Sequence, residues 1–114
     1  MLEKVSHIIL LKDFYGPLLT DKQQEVLNFH YEQDLSFAEI GAEMGISRQA
    51  VYDLVKRAER LLENYEHKLG LAARFSRYKQ DLKRLQAMLN QENMNTHELN
   101  VLQQQLRQLS EILL

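Results

Sequence analysis

The chain contains no cysteine, a single proline and only four glycines in 114 residues. Without cysteine there can be neither a disulfide nor a thiolate metal site. The glycines (Gly16, Gly41, Gly45 and Gly70) are scattered, which excludes a glycine-rich phosphate loop of the P-loop or dinucleotide type. Long apolar runs are also missing. The densest one, from Val5 to Leu11, is interrupted by Ser6-His7 and runs straight into Lys12-Asp13. It is too short to span a bilayer, and it lacks the basic flank and small-residue cleavage site of a signal peptide. The protein is therefore expected in the cytoplasm, without membrane insertion. The four histidines, His7, His30, His67 and His97, fall in separate segments, and no His-Glu-x-x-His spacing occurs. Glu39 and Glu43 stand four residues apart on a solvent-facing helix side, with no apolar pocket to raise a carboxyl pKa. No catalytic constellation, metal site or cofactor site is expected, and the chain does not read as an enzyme.

What is present is apolar material, 45% of residues, enough for a core in one compact domain or in a domain with a helical appendage. The net charge of -2 hides a division along the chain. Residues 1–45 carry three basic and eight acidic side chains, residues 46–90 ten basic and five acidic, and residues 91–114 one basic and three acidic. A basic middle between acidic ends points to an anionic partner, or else to a solvated surface of mixed charge.

The spacing of apolar residues and caps predicts an all-α chain. A first helix is expected over about 3–15, with Val5, Ile8, Ile9 and Lys12 along one side, closed by Gly16-Pro17. Thr20-x-x-Gln23 and Ser36-x-x-Glu39 are capping-box starts for two more helices, the former carrying Val26, Leu27, Phe29 and Tyr31 to about Gln33. A fourth helix, about Arg48 to Leu69, places Val51, Leu54, Val55, Ala58, Leu61, Leu62 and Tyr65 at three- and four-residue intervals, and Gly70 is its stop. Beyond it Phe75, Tyr78, Leu82, Leu85 and Leu89 form a heptad seam. Leu99, Leu102, Leu106, Leu109 and Leu113 repeat its spacing after a polar break at 90–95, with Thr96 as the candidate cap. Two matched seams predict an antiparallel helical hairpin. The expected division is a domain over 1–70 and a C-terminal helical hairpin over 71–114 that serves oligomerisation, most simply as a homodimer. The alternative is a bundle within one chain.

Residues 37–57 meet the requirements of a helix-turn-helix. Gly41 lies where two steeply crossed helices touch, and Gly45 tolerates the positive φ of the turn. Ile40, Met44, Ile46, Val51 and Leu54 point to the core, and Ser47 is placed to cap the second helix. In this geometry the second helix enters the major groove by its N-terminal end. The candidate nucleic-acid-binding residues are Ser47, Arg48, Gln49, Tyr52, Lys56, Arg57 and Arg60. Gln49 suits adenine and Arg48 guanine or a phosphate, whereas Lys56, Arg57 and Arg60 suit phosphates. Tyr52 is the one aromatic expected to face outward, and Phe14, Phe29, Phe37 and Phe75 read as core. Asp53 opposes a phosphate backbone. A continuous basic face around Arg48, Lys56, Arg57 and Arg60 would favour nucleic acid. If Asp53, Glu59 and Glu63 interrupt it, a protein-interaction adaptor is favoured.

Several strings carry a family resemblance: Leu19-Thr20-Asp21-Lys22-Gln23-Gln24, Asp34-Leu35-Ser36, Ser47-Arg48-Gln49-Ala50-Val51-Tyr52-Asp53, Lys56-Arg57 and Tyr65-Glu66-His67-Lys68-Leu69. The resemblance that they carry covers about residues 5–70. They resemble region 4 of bacterial sigma factors and, more closely, the YlxM family of small proteins encoded beside the GTPases of the signal recognition particle pathway. The resemblance implies a sigma region 4-like helix-turn-helix bundle. It also implies a regulator or accessory protein of that pathway, binding DNA ahead of RNA or docking on the particle's GTPase or RNA. Sigma activity itself is not implied, because region 2 is missing. Ala50 and Tyr52 also stand where sigma reading helices are usually basic.

Overall fold

The computed structural model describes the backbone of residues 2–90 and 95–113 and the side chains of these residues through Glu111. Among the described residues every regular element is helical: α1 (Leu2–Tyr15), α2 (Asp21–Leu27), α3 (Phe37–Met44), α4 (Arg48–Leu69), α5 (Leu71–Leu89) and α6 (Thr96–Leu113). No helix among them is long and apolar enough to cross a membrane. The chain divides into two units, Met1–Ala72 and Ala73–Leu114.

In the first unit α1, α2 and α3 all pack on α4. The local signals set most of the boundaries. Thr20 and Gln23 form a reciprocal capping box at α2, as do Ser36 and Glu39 at α3, so two orphan amides are satisfied at each start. Ser47 Oγ accepts the Ala50 amide at 3.0 Å and starts α4. Gly45 and Gly70, at φ of 71° and 64°, close α3 and α4 in the left-handed conformation that glycine adopts without a Cβ clash.

Long-range packing decides the rest. α1 buries Ile8, Leu11 and Tyr15, while Val5 is exposed and Ile9 and Lys12 are half-buried. The side expected from Val5, Ile8, Ile9 and Lys12 is thus rotated toward Leu11 and Tyr15. Lys12 instead sits at the edge of the core and pairs with Glu32. The second helix does not run unbroken to Gln33. After Leu27 the backbone widens into a π-helical stretch, Asn28–Glu32, which leaves Phe29 and Tyr31 half-buried rather than enclosed. Asp34 then turns back at φ 55°, and the Leu35 amide donates to the Phe29 carbonyl at 3.0 Å.

Tyr15 is fully buried and stacks on Tyr65 with centroids 6.0 Å apart. Its hydroxyl donates to Glu66 Oε1 at 2.6 Å and accepts the Leu71 amide at 3.0 Å, and the same Glu66 oxygen accepts the Ala72 amide at 3.0 Å. This pair satisfies orphan donors at the start of α5 after the Gly70 turn. Burial first, and the Glu66 carboxylate second, hold the Tyr15 phenol above its ordinary pKa.

In the second unit, α5 and α6 share a small core of Leu85, Leu102 and Leu109, with Tyr78 and Met88 packed against it. The expected heptad seam is therefore split. Leu82, Leu89, Leu99 and Leu106 remain exposed, and Phe75, expected in the core, is 46% exposed. The cap of α6 is Asn95, whose Oδ1 accepts the Glu98 amide at 2.8 Å, and not Thr96, which begins the helix. Most of the polar break expected at 90–95 lies outside the described residues.

Candidate nucleic-acid interface

The helix-turn-helix is built by α3, the Gly45-Ile46-Ser47 turn and α4. Its closeness rests on Gly41: a Cβ there would lie 2.7 Å from the Ile46 carbonyl oxygen. Because that neighbour is backbone, it cannot swing aside. Ile40 and Val51 are fully buried at the crossing, and Met44, Ile46 and Leu54 are half-buried around it. This buried side of α4 leaves its opposite side to solvent.

That outer side displays most of the candidate residues. Ser47, Arg48, Gln49, Tyr52, Arg57 and Arg60 are exposed, and Lys56 is half-buried. Gln49, Asp53, Lys56 and Arg60 follow one another at four-, three- and four-residue steps, one stripe along the helix. Arg48, Arg57 and Arg60 make no ion pair among the described residues. Arg57, Arg60 and Lys56 line one shallow concavity with Asp53 and Tyr52. Arg48, Gln49 and Tyr52 line another with Phe37, at the exposed start of α4.

Two of the side chains are less independent than the sequence suggests. The Gln49 amide donates to Asp53 Oδ1 at 3.1 Å, one turn on. Asp53 thereby fixes how Gln49 presents its remaining donor and its carbonyl oxygen, a role the sequence reading did not assign to it. Lys56 Nζ lies 3.7 Å from Glu59 Oε2 and 5.6 Å from the centre of the Tyr52 ring. Its charge is shared with an internal carboxylate, so Lys56 has less charge to offer an anion than Arg57 or Arg60. Tyr52, 43% exposed, meets Phe37 edge-on at 5.9 Å.

The acidic residues that could break the basic face each have partners of their own. Glu59 is buried and accepts the Tyr31 hydroxyl at 2.5 Å, with Lys4 Nζ 4.0 Å away on α1. Burial, and then the Glu59 carboxylate, hold the Tyr31 phenol above its ordinary pKa. Glu63 pairs with His7 of α1 at 2.7 Å. Glu59 thus borders the stripe beside Lys56, and Glu63, exposed three residues past Arg60, continues it, so with Asp53 all three carboxylates interrupt the basic face. The Glu59 cluster and the His7–Glu63 pair escaped the sequence reading because their members lie 28 to 56 residues apart. Among the described residues no group of three or more His, Asp or Glu is placed to hold a metal ion.

Comparison with known proteins agrees with this construction. A family model described as "Putative helix-turn-helix protein, YlxM / p13 like" (UPF0122) matches residues 2–108. A UPF0122 protein of Symbiobacterium thermophilum is 44% identical over 94 residues, 82% of this chain and 88% of that protein. One from Desulforamulus reducens is 46% identical over 81 residues, 71% of this chain and 69% of the relative. One from Listeria monocytogenes is 43% identical over 93 residues, 82% and 84% of the two chains.

Proposed function

The chain belongs to the UPF0122 family of YlxM/p13-like helix-turn-helix proteins, and on that premise we propose that it binds duplex DNA through α4 as a regulatory or accessory protein. The observation that carries this reading is the outward side of α4. Arg48 and Gln49 sit exposed in its first turn, followed by Arg57 and Arg60 without ion-pair partners among the described residues. The first turn of a reading helix is the part that reaches base edges, and the later bases meet phosphates. Arg48 would serve guanine O6 and N7, and Gln49, oriented by Asp53, would serve an exocyclic amine. Lys4 and His7 of α1 also engage Glu59 and Glu63, which offsets part of the charge those carboxylates bring to the face. The signal recognition particle setting rests on the family resemblance alone.

A second reading, a protein-interaction adaptor on the particle's GTPase or RNA, is favoured by Asp53, Glu59 and Glu63, which interrupt the basic face, and by exposed Tyr52 against half-buried Phe37. The test is fluorescence anisotropy with random duplex DNA and with signal recognition particle RNA over a salt series. Wild type is compared with the double variant Arg48→Ala/Gln49→Ala. The expected result is duplex binding that weakens steeply with salt and is impaired in the variant. RNA binding with no duplex binding, or no binding to either at low salt, would overturn the DNA reading in favour of the adaptor.

A further inference from the structure

The seam of the C-terminal unit is used by halves. Tyr78 and Leu85, seven residues apart, turn inward on α5, as do Leu102 and Leu109 on α6. The alternate seam positions stay in solvent, also at seven-residue spacing: Leu82 is 39% and Leu89 57% exposed on α5, and Leu99 is 43% and Leu106 40% exposed on α6. A helix with one neighbour needs one such row, whereas a helix in a four-helix bundle needs both, because it packs against two neighbours. Among the described residues, three buried leucines are also a very small core for two helices of 19 and 18 residues.

We propose that the exposed leucine rows of α5 and α6 are the docking surface for a second copy of this chain, the two hairpins closing as a four-helix bundle. The charges favour this occupant. α5 carries five basic side chains and one acidic one, and α6 two acidic and one basic. A two-fold axis that sets α5 of one copy beside α6 of its partner brings opposite signs together, while α5 against α5 brings like signs together. It also makes one surface complementary to itself, which an isologous interface requires. The surface is independent of DNA binding and stands or falls without it.

The full chain measured by light scattering after size exclusion is expected at about 27 kDa, twice the 13.5 kDa of one copy. Leu82→Lys/Leu106→Lys is expected at the monomer mass with its helical circular dichroism retained. The absence of cysteine provides a second readout that does not depend on that variant folding. An equal mixture of Leu82→Cys chains and differently tagged Leu106→Cys chains is treated with a short bismaleimide. It should yield mainly the mixed species, joined α5 to α6. A wild-type monomer at every concentration up to 100-fold dilution series, with the rows covered within one chain, would overturn the proposal. So would a dimer that survives both lysines, or one whose cysteines do not couple between chains.

Discussion

At the scale of single residues, Gly41 and Gly45 look alike in the sequence and do different work. Gly41 is needed for space, because a Cβ would meet the Ile46 carbonyl oxygen at 2.7 Å, and Gly45 for its φ of 71°, with nothing within 4 Å of a Cβ. Alanine at position 41 overpacks the crossing and is expected to cost about 1–3 kcal/mol. Alanine at 45 forces a left-handed residue and costs roughly 1–2 kcal/mol. Asparagine separates the two causes in urea unfolding. Gly45→Asn should recover much of the loss, since asparagine tolerates that conformation, and Gly41→Asn should not. Tyr15 and Tyr31 supply a pH test. Their phenols are held above the ordinary value by burial and then by Glu66 and Glu59, so the folded state keeps protons that the unfolded state loses. Stability is fully present below the unfolded tyrosine pKa of about 10 and falls as pH rises above it. Urea unfolding over a series of alkaline buffers should show that decline in wild type and a shallower one in Tyr31→Phe.

At the scale of elements, the starts of α2, α3 and α4 are set by side chains within three residues of the cap. Ser47→Ala is expected to cost about 1 kcal/mol and to lower the midpoint of thermal unfolding, as loss of an N-cap does elsewhere. Glu39 closes the second capping box. The Ser36 amide, and then its hydroxyl, hold the Glu39 carboxyl below its ordinary value. A depressed carboxyl contributes stability above its unfolded pKa and loses it as pH falls through the folded one. Glu39→Gln should therefore lower the melting midpoint at neutral pH, and the difference from wild type should close on acidification below the carboxylate range.

At the scale of the whole molecule, affinity for a polyanion depends on how many bases are uncommitted. Arg57 and Arg60 are free of ion pairs among the described residues, whereas Lys56 is held by Glu59. Each arginine that meets a phosphate adds about 0.9 to the slope of log affinity against log salt. Arg57→Ala and Arg60→Ala should each flatten that slope by roughly this amount in anisotropy titrations. Lys56→Ala should change it less. Equal effects of all three would mean that Lys56 leaves Glu59 on binding.

The sequence by itself determined whatever acts within one turn of helix. It placed both capping boxes, the Ser47 cap, the Gly45 and Gly70 stops, and the apolar repeat that makes α4 a two-sided helix. The outward set from Ser47 to Arg60 follows from that repeat, so the candidate interface was legible once the helix-turn-helix was. Tertiary structure decided what depends on a distant partner. Packing on α4 turned α1 toward Leu11 and Tyr15 where local hydrophobicity had favoured Val5 and Ile9. It also brought Tyr15 to Glu66, His7 to Glu63 and Tyr31 to Glu59 across gaps that carry no local spacing signal. The heptad spacing of α5 and α6 showed that leucines would share a side. Which half of that seam is buried within the hairpin was settled by how two helices of that width meet, because one neighbour covers only one row.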